Sequence, residues 1–239
     1  VDDLYGRSVG DAEQQLAAQR GIPVVDRIQY QVTTLDPAQV AAEVAAAHPD
    51  YLWDVSYVDD GVAIWKAVEQ QGVHLRAAVG TSSAFCMPEF GRRLGRQAVG
   101  LYAADKPDGQ ISTAALTPAA RNLLQRARTA YAAQGLGRQM PIPAVAGFVG
   151  GWTLFHEVLP NVAGPVTPDG IRTAAYQIDD PVGTSINGGG VKFAGPEQPD
   201  AGQNLRAPSV VGQWQAVDVM HTVYPAAFAT ARPLATPSD

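Results

Sequence analysis

Short apolar runs alternate with amphipathic stretches through the first hundred residues, which predicts strands alternating with helices. Runs rich in β-branched and aromatic residues, the usual sign of a strand, occupy 23–31, 51–57, 74–79 and 98–104. Stretches that predict helices lie between them at 38–47, 61–71 and 90–94. Asp36-Pro37 places a capping side chain and a first-turn proline ahead of the first helix. Strands separated by helices indicate an α/β fold with a parallel, helix-covered sheet.

The pattern changes in the second half to longer helices followed by turn-rich sequence. Thr117-Pro118 begins an amphipathic helix that is predicted to run to about residue 134. Residues 143–158 are apolar on nearly every side, which predicts a buried helix. The glycine-rich stretch 187–190 predicts a turn, and 210–217 with 220–224 predict a terminal pair of strands.

Seven short phrases carry a family resemblance because they occur in the right order over almost the whole chain. They are 2–8 (DDLYGRS), 55–60 (VSYVDD), 80–85 followed by 88–90 (PEF), 191–193 (VKF), 202–204 (GQN), 213–215 (QWQ) and 223–225 (VYP). In order and wording they resemble the type I periplasmic solute-binding proteins, the family that includes the leucine/isoleucine/valine-binding proteins. The resemblance implies a type I periplasmic-binding-protein-like α/β fold with a parallel-sheet, three-layer lobe plus part of a second lobe.

The resemblance also implies how the chain is divided and what it does. Residues 1–135 and 211–239 would form the ligand-binding lobe two, and 136–210 the returning part of lobe one, with the N-terminal part of lobe one absent. The function implied is the extracytoplasmic solute-binding component of an ABC importer, not an enzyme and without a cofactor. Its partners would be a small-molecule ligand, a membrane permease and that missing lobe, in the periplasm or outside the cell, with or without a lipid anchor. A ligand-sensing regulatory domain of the same fold is the alternative.

Candidate ligand contacts follow from the position of loops in an open α/β sheet. Ligands bind outside the carboxyl ends of the strands, where free N–H groups at helix N-termini also suit an anionic group. The loops expected there contribute six candidate side chains, Tyr5, Ser56, Tyr57, Asp60, Thr81 and Ser82. Tyr5 resembles the family's ligand-contacting tyrosine, although a surface tyrosine packed on the strand edge is the alternative. Asp60 has a helix cap as its alternative role.

The same loops bear on the class of ligand. Thr81 stands where amino-acid-binding relatives carry a glutamate that accepts the ligand's ammonium group. Because a buried ammonium without a partner charge is costly, branched-chain amino acids are in doubt unless another acid meets the amine. The neutral loop would suit an amide, urea-like, carboxylate or aromatic solute. We expect the six side chains to line one concave edge and to be partly exposed. We also expect an exposed apolar patch around 143–158, where missing strands would pack.

Composition excludes several other classes of function. Seventeen basic and 23 acidic residues are interspersed, so the sequence has no basic patch for nucleic acid. It has no uninterrupted run of 18 apolar residues, and neither the single cysteine, Cys86, nor the four scattered histidines show metal-ligand spacing. A hydrolase is the enzymatic alternative, because 80–84 (GTSSA) nearly spells a nucleophile elbow with Ser82 as nucleophile and His156 or His221 as base. Cys86-Met87-Pro88 delays the helix that such an elbow requires.

Overall fold

The computed structural model describes residues 1–137 and 139–235, which cluster into two compact units. The first unit comprises 1–105, 211–221 and 232–235, and the second comprises 106–210 and 222–231. Residues 106–135, which the predicted lobe two includes, make their contacts within the second unit. The assignment of the two lobes stays a prediction, and its last four residues, 236–239, lie outside the described residues.

The first unit is built on a sheet with helices from the same part of the chain. Its elements are α1 (Leu4–Gln19), α2 (Pro37–Ala47), β1 (Tyr51–Asp54), α3 (Val58–Gln70), β2 (Ala77–Thr81), α4 (Pro88–Leu94) and β3 (Tyr102–Asp105), together with all but the first residue of β4 (Val210–Ala216) and the first half of β5 (Val219–Tyr224). The strands follow one another in the order β1-β2-β3-β4-β5. Both pairs among β1, β2 and β3 are parallel, with Tyr51 opposite Ala77 and Val79 opposite Tyr102. The predicted α/β class with a parallel sheet is confirmed.

Helix boundaries agree with the capping signals in the sequence. The Asp36 carboxylate accepts hydrogen bonds from Ala38 N and Gln39 N, so α2 begins where the Asp-Pro pair predicts. Thr117 Oγ1 accepts one from Ala120 N at the start of α5 (Pro118–Ala133) in the second unit. The strands predicted at 51–57, 74–79 and 98–104 are all present but shifted or shortened, since each forms a ladder over only part of the apolar run.

Two features at the N-terminal end differ from prediction. The strand predicted at 23–31 is wrong: this segment pairs with no other strand in the described residues, and Val24 and Val25 are exposed. β-Branched residues favour an extended backbone, but a strand also needs a partner ladder. The helix α1 was not predicted, because it buries only Gly6 and Ala17 and so lacks an amphipathic signature.

The core of the first unit is centred on Trp214 of β4. Its indole Nε1 donates a hydrogen bond to Phe85 O over 2.8 Å, and both side chains are buried. Phe85 stacks on Phe90 of α4 with ring centroids 4.3 Å apart. Gly91 lets the helix approach, because a Cβ there would lie 2.3 Å from Cζ3 of Trp214. The glycine therefore allows α4 to pack directly on the indole ring.

The second unit contains longer helices and irregular turns. Its helices are α5 (Pro118–Ala133), α6 (Ile142–Thr153) and α7 (Pro168–Ala175), and α6 continues through a π-helical turn, Leu154–Val158, and a 3₁₀ turn, Leu159–Asn161. One cluster packs Leu124 of α5 with Val145 of α6 and Ile186, and another packs Val158 with Ala174 of α7.

The helical run that begins with α6 is less buried than the sequence indicates. The predicted buried helix 143–158 is wrong in this respect, since Phe155 is 65% exposed and Val145 and Thr153 are the buried positions within its α-helical part. By length and composition alone, Ile142–Asn161 is apolar enough to cross a membrane. Phe155 is the exposed large apolar side chain within 143–158, and the expected apolar patch around this helix stays a prediction.

Buried acidic groups make the first unit sensitive to pH. Burial raises the pKa of the Asp54 carboxyl to about 6, because its charged form is poorly solvated at the end of β1. Burial, and then the charge of Asp54, raises the pKa of Glu13 on α1 to about 7. Both groups hold a proton in the folded chain at pH values where the unfolded chain has released it.

Replacing Gly91 with alanine tests the packing of α4 on Trp214. The added methyl group would overlap the indole ring, so we expect the free energy of unfolding to fall by about 1–3 kcal/mol. Gly10→Ala is the matched control, because its Cβ would approach only the flexible end of the Arg27 side chain, at 3.1 Å. Urea unfolding followed by tryptophan fluorescence measures both. Equal free energies of unfolding in the two variants would show that α4 does not pack closely on Trp214.

The stability of the first unit should fall as pH rises. Between about pH 4 and 6 the folded state retains the Asp54 proton and the unfolded state does not, so rising pH favours unfolding, on the order of 3 kcal/mol from this group. The change is complete only above about pH 8, once Glu13 has also ionised. Asp54→Asn should reduce the slope of the free energy of unfolding against pH. Asp11→Asn, which removes a surface ion pair with Arg27, should leave that slope unchanged. Urea unfolding at a series of pH values checks this, and equal slopes in the two variants would contradict it.

Candidate functional site

Three loops of the first unit meet at the carboxyl ends of β1 and β2, joined by the hydroxyl groups of two tyrosines. The Tyr5 hydroxyl and Thr81 Oγ1 lie 2.6 Å apart, within hydrogen-bonding distance. The Tyr57 hydroxyl donates to Asp3 Oδ2 over 2.8 Å. The two tyrosine rings are 5.6 Å apart and inclined by 42°. These contacts bring residues from positions 3–5, 57 and 81 together.

Local sequence explains why these side chains reach the same place. Asp3 is the N-cap of α1, and its Oδ1 accepts a hydrogen bond from Gly6 N over 2.7 Å, so Tyr5 lies in the first helical turn. Tyr57 is the residue before α3, and Thr81 is the last residue of β2. Two helix starts and one strand end therefore contribute the cluster.

The charge in this cluster is held by internal hydrogen bonds. The bond from Gly6 N, and then the one from Tyr57, lower the pKa of the half-buried Asp3 carboxyl, so it is ionised at neutral pH. The same carboxylate raises the pKa of Tyr57, which therefore stays a neutral hydroxyl donor. Asp3 was not among the six candidates, and its position one residue before a helix is the signal that marks it as a capping acceptor.

Ser56 and Asp60 differ from the prediction that all six candidates are partly exposed. Ser56 is fully buried against the first turn of α3, where a Cβ on Gly61 would lie 2.5 Å from its Oγ. Asp60 is 3% exposed, and its carboxylate accepts hydrogen bonds from Tyr57 N and from the Tyr30 hydroxyl. The expectation is wrong for these two residues, because the helix start that they stabilise also encloses them. Tyr30 was not predicted, since it lies 30 residues away in an unpaired segment.

The remaining candidates are accessible. Tyr57 is 40% exposed, and Tyr5, Thr81 and Ser82 are partly buried. Ser82 lies in a turn that precedes α4 by several residues, and no histidine within 1–137 and 139–235 forms a hydrogen bond with it. Nor does this part of the chain contain a group of three or more histidine, cysteine or acidic residues that could hold a metal ion. The accessible part of the cluster is thus made of hydroxyl groups and aromatic rings around one engaged carboxylate.

Comparison with known proteins identifies related chains. The sequence profile of the periplasmic binding protein family matches residues 1–214. The Leu/Ile/Val-binding protein homolog 8 of Brucella abortus (strain 2308) is 26% identical over 225 residues, which are 94% of this chain and 53% of that protein. The chain thus spans about half the length of the curated relatives that it matches.

Two solved structures show the same fold at low sequence identity. An extracellular ligand-binding receptor from Rhodopseudomonas palustris HaA2 has a TM-score of 0.77 at 18% identity, over 93% of this chain and 61% of that one. A leucine-binding protein from Thermotoga maritima MSB8 has a TM-score of 0.73 at 15% identity, over 92% and 57%.

The family consists of binding proteins, so the hydrolase alternative that used Ser82 is set aside. The match to the family profile covers most of the chain and includes the three loops of the cluster. The chain belongs to the periplasmic binding protein family and has the type I fold of its solved relatives.

Proposed function

We propose that this chain is part of the extracytoplasmic solute-binding component of an ABC importer and binds a small polar or amphipathic solute. The observation that carries the proposal is the pair of hydrogen bonds, Tyr5 to Thr81 and Tyr57 to Asp3, that join three loops at the carboxyl ends of parallel strands. In this proposal the solute is bound reversibly by closure of two lobes, without chemical change.

The accessible side chains suit recognition by stacking and hydrogen bonding. Tyr5 and Tyr57 offer ring faces together with hydroxyl groups, and Thr81 and Ser82 offer further hydroxyl groups. The first turns of α1 and α3 add backbone N–H groups, which favour a carboxylate or another electron-rich group. Ser56 and Asp60 support the loops from beneath and do not contact the solute in this proposal.

The proposed solute is amino-acid-like, amide-like or carboxylate-like. Asp3 is the carboxylate among the accessible groups of the cluster, and two internal hydrogen bonds already hold it. A ligand ammonium would therefore have to displace Tyr57 from Asp3 or find an acid elsewhere. Amides, carboxylates and aromatic acids need no such exchange, which is why the proposal includes them beside the amino acids for which the Brucella and Thermotoga proteins are named.

The rest of the binding machinery is proposed to come from outside these 239 residues. An N-terminal lobe-one segment would supply the opposing wall of the site, in keeping with the length of the curated relatives. A membrane permease would receive the solute. The complete protein would act in the periplasm or outside the cell, with or without a lipid anchor.

The 239-residue chain alone should bind solutes weakly. One wall leaves much of the solute in water, so little desolvation accompanies its hydrogen bonds. Calorimetric titration with leucine, isoleucine, valine, phenylalanine, primary amides and aromatic carboxylates should give dissociation constants weaker than about 0.1 mM. Micromolar or tighter binding by this chain would show that the site is complete and would refute the proposed opposing wall.

In the full-length protein, removing the Tyr5 side chain should weaken binding of the solute that the panel identifies. Tyr5→Ala deletes both a stacking face and a hydroxyl group, so we expect at least a tenfold increase in the dissociation constant, about 1.4 kcal/mol. Tyr224→Ala is the control, because that side chain is 67% exposed at the end of β5. Calorimetry on both variants measures the effect. An unchanged affinity in Tyr5→Ala would remove the cluster from the binding site.

A further inference from the structure

Two carboxylic acids from different segments line a small cavity within the second unit. The cavity has a volume of about 110 Å³, and Leu123 of α5 together with Phe148 and Trp152 of α6 form its apolar walls. Glu157 and Asp180 are the ionisable side chains that line it among the described residues. A pair of acids in a cavity of this size is placed where water can solvate their charges only poorly.

Backbone contacts bring the two acids together. Glu157 belongs to the π-helical turn Leu154–Val158, and its carbonyl oxygen accepts a hydrogen bond from Asn161 Nδ2 over 2.6 Å. Asp180 donates its backbone N–H to Val191 O over 2.8 Å and accepts a hydrogen bond from Val191 N in return. The two carboxyl groups are therefore neighbours because of the fold, not because of attraction between them.

The pair lacks one hydrogen-bond donor. Glu157 Oε2 is buried and has no hydrogen-bond partner among the described residues. Ionised carboxylates accept hydrogen bonds and donate none, so Glu157 and Asp180 cannot satisfy each other while both are charged. One proton would turn one of the two groups into a donor and would remove one of two like charges. Burial, and then the charge of Asp180, accordingly raise the pKa of the Glu157 carboxyl to about 7.

Charged side chains on the adjoining segments are engaged with one another. On α7, which packs against the π-helical turn, Arg172 pairs with Asp169. On the segment that carries Asp180, Asp179 pairs with both Lys192 and Arg206. These cations already neutralise other carboxylates, so they are not placed to neutralise the pair in the cavity.

The helices around the cavity do not supply a counter-charge either. The sequence of α6, Ile142–Thr153, contains no ionisable side chain. On α5, Arg121 and Arg126 are exposed, and Arg128 donates to a backbone oxygen, that of Gly109. In the π-helical turn, the exposed His156 ring stacks on Trp152, with ring centroids 3.8 Å apart. A proton is therefore the simplest means of relieving the repulsion between the two acids.

We propose that Glu157 and Asp180 share one proton, and that this proton holds the π-helical turn against the segment 180–191. When the proton is released to solvent, two carboxylates face one cavity and repel each other. The π-helical turn then moves, because it is an uncommon helix geometry whereas Asp180 is fixed through both of its backbone groups. The second unit thus contains a pH-sensitive latch, which does not depend on the proposed binding function or on any solute.

Hydrogen exchange of the backbone amides of 154–159 in the 239-residue chain tests the latch. After correction for the intrinsic exchange rate, we expect protection to fall at least about tenfold between about pH 6 and about pH 8.5, relative to the amides of α5. In Glu157→Gln and in Asp180→Asn, protection should be equal at the two pH values. Each amide supplies the missing donor, and neither variant can place two charges in the cavity.

Asp169→Asn is the matched control, because it removes an acid from α7 that pairs with Arg172 on the surface and leaves the cavity unchanged. It should show the pH dependence of the parent chain. The proposal is overturned by protection of 154–159 that follows α5 at both pH values. It is also overturned if both isosteric variants keep the pH dependence, or if both exchange rapidly at about pH 6. The readout needs no solute, so its failure is distinguishable from a failure to bind the ligands of the panel.

Discussion

The parallel pairing of β1 with β2 determines where every accessible candidate for ligand binding lies. The register that sets Asp54 opposite Gly80 ends both strands at one edge, so the loops that follow them leave the sheet side by side. The Tyr5 hydroxyl then reaches Thr81, and Tyr57 reaches Asp3, across loops that are 76 and 54 residues apart in sequence. Without that register the two hydroxyl bonds could not form together, because each joins the start of α1 to a different strand end.

Much of this arrangement can be predicted from the sequence because its signals are local. Asp36-Pro37 marks the start of α2, and Thr117-Pro118 that of α5, through capping chemistry that involves only three or four residues. The alternation of strands and helices then predicts the parallel sheet, and the rule for strand ends places Tyr5, Tyr57 and Thr81 at one edge. Each of these inferences depends on neighbours in sequence or on a general property of parallel sheets.

The features that could not be predicted depend on long-range contacts. Residues 23–31 have a strand's composition, but a ladder requires a neighbour that composition does not reveal. Asp60 was a candidate ligand contact because it follows a strand, yet Tyr30 and the start of α3 enclose its carboxylate. Likewise, residues 143–158 are apolar throughout, but burial depends on how much of the helix surface has something to pack against, and only part of it does.

The chemistry of the cluster also bears on where binding energy can arise. A hydroxyl hydrogen bond between partly exposed groups contributes only about 0.5–1.5 kcal/mol net, because water competes for both partners. A solute that breaks the Tyr5–Thr81 hydrogen bond must first form equivalent hydrogen bonds of its own before its contacts lower the binding free energy. A favourable net binding free energy therefore requires that the solute and the two tyrosine rings are removed from water together. The open edge of a sheet cannot do this alone. The affinity of this site should therefore depend on the opposing wall that covers it, whereas the side chains at the strand ends determine the orientation of the solute.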